Sequence, residues 1–300
     1  MVRRVRPDSG VMPAAVGIDV SVGTARVVSI DRNGTLLGSA SFQGTDAAAA
    51  LQAAVAATKR SAATPLGIAT DDSAIDGVRA SGKGSRSAPP VVCAPGDAVA
   101  IAESWTGAAK GTRHAVCLWL GNRVFAGILL NGKPWRGAHD LAGSAAWLAL
   151  NPVERQDYRK YGSFAAEVND HGIAWRLAWR VQAGDESSVA KEGAAFDALT
   201  AAHVFAGARA ADGVAISVVR DTARYIAMAA VNLAIAIDPE VVVIGGPVTS
   251  AADLLIEHTR QDFMRRLPPP MAGKVCCEFS PLGEDAIAIG AARAAMLAKR

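Results

Sequence analysis

The feature that most constrains the fold is a strand–turn–strand pattern that occurs twice. Residues 16–20 and 116–120 are short apolar runs, and a β-branched run and an Asn-Gly pair follow each of them. The two pairs begin at Asn33 and Asn131, 98 positions apart. Asn-Gly between apolar runs is the strongest short-range signal for a hairpin. The repeat predicts a duplicated unit of three antiparallel strands followed by helix, strand and helix.

The rest of the pattern alternates helices and strands. Residues 24–30 and 36–42 are predicted as strands, and residues 46–59 as a helix capped by Thr45. Residues 240–244 form a continuous β-branched run, which is typical of a strand buried on both faces. Further helices are predicted over 98–110, 189–211, 216–237, 250–267 and 285–297. The predicted fold class is α/β, with mixed sheets flanked by helices.

Composition excludes several classes of protein. Hydrophobic residues make up 51% and charged residues 20%, so the chain is not intrinsically disordered. A net charge of +3 gives no overall attraction to nucleic acid. The most apolar run, 226–237, is shorter than the roughly 20 residues that span a bilayer, so no membrane partner is expected. The polar stretch 71–88 lacks the spacing of a phosphate-binding P-loop and is predicted as a loop.

The four cysteines do not predict a disulfide framework or a zinc site. No two of them have C-x-x-C spacing, and Cys276 and Cys277 are adjacent. Reduced, mostly buried thiols are typical of cytoplasmic proteins, and no signal-peptide apolar region follows the first residues. A cytoplasmic location is therefore expected.

Three glycine-containing segments are candidates for a phosphate site. Residues 17–24 place an acid and a tight turn at the end of a strand, residues 121–127 repeat that turn, and residues 245–246 follow the buried strand. Turn N–H groups bind phosphate oxygens, a carboxylate holds Mg²⁺ through water, and glycine lets a flat ring approach the backbone. These segments predict two lobes that clamp a nucleotide. The candidate nucleotide-binding residues are Asp19, which is also the candidate Mg²⁺ residue, Gly23, Thr24, Gly121, Asn122, Gly245 and Gly246.

Four further stretches point to a known family. Residues 200–248, together with 100–111, 130–138 and 282–286, resemble the ROK family of repressors and sugar kinases, within the actin–hexokinase superfamily. The resemblance implies Mg-ATP as phosphoryl donor and a sugar or sugar-like acceptor. It also implies a homodimer.

The resemblance further implies a two-lobed, duplicated fold of the actin/hexokinase (ribonuclease H-like) type. The N-terminal lobe would span residues 12–112 and include the closing helix 285–300, and the C-terminal lobe would span residues 113–284. The C-terminal lobe would supply the dimer contact.

The motifs depart from the family where phosphate and the catalytic base are expected. Ser21 and Val22 displace glycine in the first turn, which is one residue longer than the family's, and Arg123 and Phe125 replace glycines of the second. A side chain at such positions hinders the approach of phosphate, although Arg123 could point at one. The family's base is the Asp of an Asn-Asp-Ala motif, for which the candidate is Asp97. Asp97 lacks the Asn partner, an alignment without a gap would put Pro95 in its place, and a simple helix N-cap is the alternative.

The sugar motifs are altered further. Ser144 and Trp147 stand where the family has a sugar-binding Glu and a His, and Ala165 replaces a second Glu. Residues 151–162 contain no Cys where the family has a zinc loop, so no zinc is expected. The charged and aromatic side chains of 154–161 belong to a solvated loop, or else contact a different ligand or partner. Trp175 and Trp179 line a core or a dimer face.

Two functions follow. The first is an ATP-dependent carbohydrate kinase, with Asp97 as base. The alternative is a non-catalytic relative, a pseudokinase that binds a ligand or a partner, because lost hydroxyl-binding groups forfeit the positioning on which phosphoryl transfer depends. A repressor is not expected, since only about a dozen residues precede the first strand and a DNA-binding helix-turn-helix does not fit there. DNA is therefore not an expected partner.

Overall fold

The computed structural model describes residues 12–58, 61–71, 89–190 and 198–298. The chain forms two compact units. The first takes its described residues from Met1–Arg113, Gly127–Arg136 and Glu284–Arg300, and the second takes them from His114–Ala126 and Gly137–Gly283. Apart from Asp71, the loop predicted over 71–88 lies outside the described residues.

The first sheet begins with the predicted antiparallel meander. Its strands are β1 (Ala15–Ser21), β2 (Thr24–Ile30), β3 (Leu36–Gln43), β4 (Leu66–Ala69) and β5 (Val91–Cys93), in the order β3-β2-β1-β4-β5. β1 pairs antiparallel with β2 and parallel with β4, and β4 pairs parallel with β5. The carboxyl ends of β1, β4 and β5 therefore meet at one edge of the sheet, where ligands of α/β proteins commonly bind.

Helices cover both faces of this sheet. Val16, Ile18 and Val20 of β1 point to one face and pack with helix α1 (Ala47–Ala57). Gly17 points to the other face, where helix α9 (Ala286–Ala298) lies so close that a Cβ atom on Gly17 would meet the Ala288 carbonyl. Helix α2 (Pro95–Thr106) packs against α9. Asp46, not the predicted Thr45, caps α1, because its carboxylate accepts the Ala49 N–H at 2.8 Å.

The second sheet repeats the strand order of the first. Its strands are β6 (Ala115–Leu120), β7 (Val124–Leu130), β8 (Lys133–Pro134), β9 (Val241–Gly245) and β10 (Cys276–Phe279), in the order β8-β7-β6-β9-β10. β6, β9 and β10 are parallel. Asn131 and Gly132 form the β7–β8 turn with φ angles of 53° and 77°, as predicted for an Asn-Gly hairpin. The predicted α/β class and the duplication are both confirmed.

Helices of the second unit surround one large core. They are α3 (Gln156–Tyr161), α4 (Ala165–Val168), α5 (Asp170–Gln182), α6 (Ala201–Arg209), α7 (Gly213–Ile237) and α8 (Ala252–Arg266). α7 is the longest, and its buried face is mostly alanine and valine. The prediction of one helix over 189–211 was wrong in its described part, since α6 begins only at Ala201.

Among the described residues, no single helix has the length and apolar character to cross a membrane. Only α6 and α7 taken as a pair would meet that criterion, and they are bent by 116° where they join.

Candidate functional site

Two carboxylates lie at the carboxyl edge of the first sheet. Asp19 is near the end of β1, paired in register with Ala69, the last residue of β4. Asp97 lies in the first turn of α2, which follows β5 directly. Both are buried acids, only 9% exposed. Because charged groups are costly to bury without a function or a partner, this edge is the candidate site of the first unit.

Cys93, the last residue of β5, reports on both acids. Burial raises the pKa of its thiol from 9.0 to about 12, and the negative charges of Asp97 and Asp19 add to the shift, while Arg136 opposes it. The thiol is therefore protonated and chemically inert at neutral pH. Asp19 and Asp97 therefore both lie close enough to the Cys93 thiol for their charges to act on it.

Asp97 is held by an arginine that the sequence did not point to. The Nε of Arg136 donates to Asp97 Oδ2 at 2.6 Å, and Arg136 Nη2 forms an ion pair with the same oxygen. The Asp97 side chain is 11% exposed and that of Arg136 is 47% exposed. The N-cap alternative for Asp97 was wrong, because Ala94 is the N-cap and Pro95 the first helical residue. The Asp97 carboxylate is therefore oriented by Arg136.

The first turn is a tight hairpin with a side chain at its tip. Ser21 and Thr24 pair across it, their hydroxyl oxygens lie 2.6 Å apart, and Gly23 has a φ of 69°. The Gly44 N–H donates to the Gly23 carbonyl at 3.0 Å. Val22 is 91% exposed at the tip. The hydrogen bond from Gly44 thus holds the turn in place. Its tip carries a valine side chain, where a phosphate-binding turn would have glycine.

The second unit brings together the other predicted glycines. Gly121 follows β6, and a Cβ atom on it would lie 2.8 Å from the Pro247 ring. Gly246 follows β9 with a φ of 91° and a ψ of −170°, which only glycine adopts readily. A Cβ there would lie 2.7 Å from the Leu120 carbonyl oxygen. Gly245 pairs in register with Trp119, so the two loops form one glycine-lined surface, with Asn122 exposed in its turn.

The two residues that replace glycine in this turn pack against an aromatic neighbour. The rings of Phe125 and Trp119 are stacked, with centroids 6.1 Å apart and an angle of 14° between their planes. The Arg123 guanidinium lies over the Phe125 ring, 5.8 Å from its centroid. Phe125 is therefore accommodated on the strand rather than projecting into the turn.

Segment 144–162, which contains altered sugar motifs of the family, is held in place by a buried carboxylate. Glu167 is 1% exposed. Its Oε1 accepts the Tyr158 hydroxyl and lies 3.1 Å from Arg155 Nη1, while Oε2 lies 3.6 Å from Arg176 Nε. Arg176 Nη2 donates to the Glu167 carbonyl at 2.8 Å and to Thr222 Oγ1. Tyr158 is thus buried and Arg155 half-buried, contrary to the solvated-loop interpretation, whereas Glu154 and Arg159 form an exposed pair.

Two residues of functional interest were missed from sequence. Arg136 lies 39 positions from Asp97, and Glu167 lies nine positions from both Tyr158 and Arg176. A lone Glu near several arginines was the only available signal.

Trp175 and Trp179 are 39% and 57% exposed. The core interpretation of these tryptophans was therefore wrong.

The residues present suit magnesium better than zinc. Mg²⁺ is held by one or two carboxylates together with water and substrate phosphates, which fits Asp19 and the nearby Asp97. A structural zinc needs four Cys or His ligands. Residues 151–162 contain neither type, and no group of three or more His, Cys, Asp or Glu within the described ranges could hold a metal ion.

Comparison with known proteins identifies the family. Residues 91–299 match the ROK family. The glucokinase of Halalkalibacterium halodurans is 33% identical over 204 residues, which cover 67% of this chain. The match spans 62% of that relative's own length.

Solved structures share the fold. A ROK family glucokinase from Streptomyces griseus, in complex with glucose and AMPPNP, superposes with a TM-score of 0.78 at 21% identity, covering 94% of this chain and 99% of that one. A ROK family transcriptional regulator, a homologue of the E. coli MLC protein, gives 0.76 at 19% identity, covering 95% and 78%. At these identities the superpositions speak for the fold alone. The family match, which covers more than half of the sequence, shows that this chain belongs to the ROK family.

Proposed function

We propose that the protein is a carbohydrate kinase that transfers the γ-phosphoryl group of Mg-ATP to a hydroxyl of a sugar or sugar-like acceptor in the cytoplasm. The observation that carries the proposal is Asp97, a buried carboxylate oriented by Arg136 at the carboxyl edge of the first sheet. A carboxylate held in a fixed orientation at such an edge can accept the proton of a hydroxyl. The glucokinase named above supports the reaction class.

In this proposal Asp97 is the general base. The acceptor oxygen attacks the γ-phosphorus, the bond from γ-phosphorus to the bridging oxygen breaks, and ADP leaves. Asp97 takes the hydroxyl proton as the new P–O bond forms. Arg136 is a positioning residue, because it holds Asp97 Oδ2 and leaves the orientation of the carboxylate fixed before substrate binds.

The donor is assigned to the glycine-containing turns. Gly245 and Gly246 bind the adenosine part, since a side chain at Gly246 would collide with Leu120. Gly121, Asn122, Gly23 and Thr24 contact the phosphates. Asp19 holds Mg²⁺ through water, and that ion, when bound, neutralises charge on the phosphate oxygens.

The acceptor is expected to differ from ordinary glucose. The side chains at Ser144, Trp147 and Ala165 supply no carboxylate for sugar hydroxyls. Glu167, two positions after Ala165, is buried, and its carboxylate contacts Tyr158 and two arginines. A less polar or substituted sugar fits these side chains better. A site that lacks hydrogen-bond partners for hydroxyl groups gains no affinity from a ligand rich in them.

The proposal includes a homodimer. On α5, Trp175 and Trp179 stack at 6.5 Å and are both exposed. Exposed tryptophan beside arginine is the composition of interface hot spots, and Arg155 lies 5.1 Å from the Trp175 ring. Light scattering of the wild type and of Trp179→Ala tests this, since a monomeric wild type contradicts it.

The first test is a calorimetric titration with Mg-ATP and with a non-hydrolysable analogue. Binding near or below millimolar is expected. An acceptor screen that measures ADP release follows, with Asp97→Asn as its control. Loss of general-base catalysis lowers turnover about 10²- to 10⁴-fold and leaves ATP affinity unchanged. Absence of ATP binding contradicts the kinase.

A second function, a non-catalytic ligand-binding or regulatory relative, is favoured by one observation. Arg136 already occupies the Asp97 carboxylate with two nitrogen atoms, and such a pair competes with an acceptor hydroxyl. ATP binding without turnover on any acceptor, unaffected by Asp97→Asn, would favour this second function.

A further inference from the structure

The turn after β6 carries a cation that the proposed reaction does not yet use. Arg123 lies over the face of Phe125 with its guanidinium carbon 5.8 Å from the ring centroid. Phe125 in turn stacks on Trp119, which is 4% exposed. Arg123 lies in the bend before β7, and Phe125 is the second residue of that strand.

This stack adjoins the glycine-lined surface. Trp119 pairs in register with Gly245, and a Cβ atom on Gly246 would lie 3.1 Å from Trp119 Cδ2. Gly121, two positions before Arg123, touches Pro247 in the same way. The chain therefore brings the base of the Arg123 stack against the loop assigned to the nucleotide.

The turn carries side chains, Arg123 and Phe125, at positions where the family has glycine. A turn that binds phosphate through backbone N–H groups needs glycine, because any side chain keeps the anion away from the backbone. Arginine offers another solution, since its guanidinium carries a permanent charge and five N–H donors that match phosphate oxygens. Stacking on Phe125 restricts the rotamers of Arg123, which reduces the entropy lost on binding.

We propose that Arg123 binds the phosphate groups of the nucleotide through its guanidinium, in a turn whose side chains obstruct the approach to the backbone donors. This inference rests on the proposed function, because it assigns a side chain to the donor site of that reaction. In this role, the positive charge of Arg123 contributes directly to the affinity for Mg-ATP. Affinity for Mg-ATP should fall as ionic strength rises.

The test compares binding of Mg-ATP and of inorganic tripolyphosphate to the wild type, Arg123→Gln and Arg123→Lys. Arg265→Gln is the matched control, since Arg265 is an exposed arginine in the last turn of α8. Thermal melts check that each variant is folded. Arg123→Gln should weaken both ligands about 10-fold or more, the magnitude expected for a hydrogen bond to a charged group. Arg123→Lys should recover part of that loss, and Arg265→Gln should bind as the wild type does.

The outcomes separate the two proposals. If the wild type binds Mg-ATP and folded Arg123→Gln binds it equally well or more tightly, Arg123 merely fills the turn and this inference is overturned. If the wild type binds neither ligand, the proposed function and this inference both fail. If Arg265→Gln weakens binding as much as Arg123→Gln does, the effect is a general loss of positive charge and Arg123 has no special role.

Discussion

The two sheets share one strand order, but the packing around them is stabilised in opposite ways. In the first, α9 lies against the sheet at glycines, and the contact consists of backbone on backbone. In the second, a buried carboxylate holds two arginines and a tyrosine together. We expect the first core to lose stability when an atom is added at these glycines, and the second when the buried carboxylate is removed.

The close contact of the first unit depends on Gly17 and Gly67. Both face α9, where a Cβ atom would meet the carbonyl groups of Ala288 and Ala291. Gly290 meets the Ala98 carbonyl of α2 in the same way. These helices therefore lie closer to their neighbours than side chains would permit, and the packing is dense because the residues are small.

The buried network of the second unit depends on Glu167. It balances Arg155 and Arg176 inside the protein, where an unpaired charge is costly. The difference between the units teaches that strand order does not dictate how a core is stabilised. A repeated topology accepts quite different interiors, and function lies in the loops attached to it.

The largest effect is expected from Gly67→Ala. The added methyl group would collide with the Ala291 carbonyl, and neither backbone can move without separating β4 from α9. Overpacking costs about 1–3 kcal/mol when side chains can adjust, so a contact with backbone should cost about 3 kcal/mol or more. Urea denaturation measures it. Gly213→Ala is the control, because nothing lies within 4 Å of a Cβ there, and a stable Gly67→Ala variant would contradict the close contact.

A loss of similar size is expected from Glu167→Ala. Removing one partner of a buried pair leaves the arginines uncompensated and costs about 3–5 kcal/mol. Glu154→Ala is the control, since Glu154 forms an exposed pair with Arg159, and it should leave the urea midpoint unchanged. Equal midpoints for both variants would show that Glu167 contributes no more than a surface acid.

The buried thiols give a pH dependence. Burial raises the pKa of Cys93 and of Cys277 from 9.0 to about 12. The folded state therefore holds these protons more tightly than the unfolded state does. The resulting stability is complete below pH 9 and is lost as the pH rises towards 12. Urea midpoints measured from pH 8 to 11 should fall, and replacing both cysteines with alanine should flatten the curve.

Alkylation at pH 8 checks the same thiols independently. Iodoacetamide should label exposed Cys276 in the native protein, and Cys93 and Cys277 only after denaturation. Rapid native labelling of Cys93 would mean that the edge of the first sheet is open to reagents.

The smallest effects compare one helix cap in each unit. Asp46 accepts the Ala49 N–H in the first unit, and Asp212 accepts the Ala215 N–H in the second. Asp46→Ala should cost about 1 kcal/mol and Asp212→Ala about 2 kcal/mol, because Asp212 also accepts bonds from Ser187 and Ser188. Thr45→Ala is the control and should be neutral in thermal melts. A larger effect at Thr45 than at Asp46 would reverse the assignment of the cap.

The strands were predictable because their signals are local. β2 begins and ends at the predicted residues 24 and 30, and β3 begins at the predicted residue 36 and ends one residue after the predicted 42, since β-branched runs and turn pairs mark them. The two Asn-Gly turns nevertheless differ. Asn131 adopts a positive φ, whereas at Asn33 the Asp31 carboxylate accepts the N–H groups of Asn33 and Thr35 and closes the turn differently.

The site was predictable only in part, because its pairing is not local. The strand ends indicated that Asp19 lies near the end of β1 and that Gly121 and Gly246 lie in the loops after β6 and β9. The orientation of Asp97 depends on Arg136 from the segment after β8, and the burial of Glu167 depends on helices that only the folded chain brings together. Sequence spacing carries no information about such partners.

The contact between α9 and the first sheet also has a consequence for synthesis of the protein. Of the described elements, β1 leaves the ribosome first, and α9, the helix that covers it, is made after the others. More than two hundred residues separate the end of β4 at Ala69 from the start of α9 at Ala286, which corresponds to about 10–40 s of translation. Throughout that time one face of the nascent sheet lacks its cover. The second unit is synthesised within this interval, so it can fold while the first sheet is still uncovered.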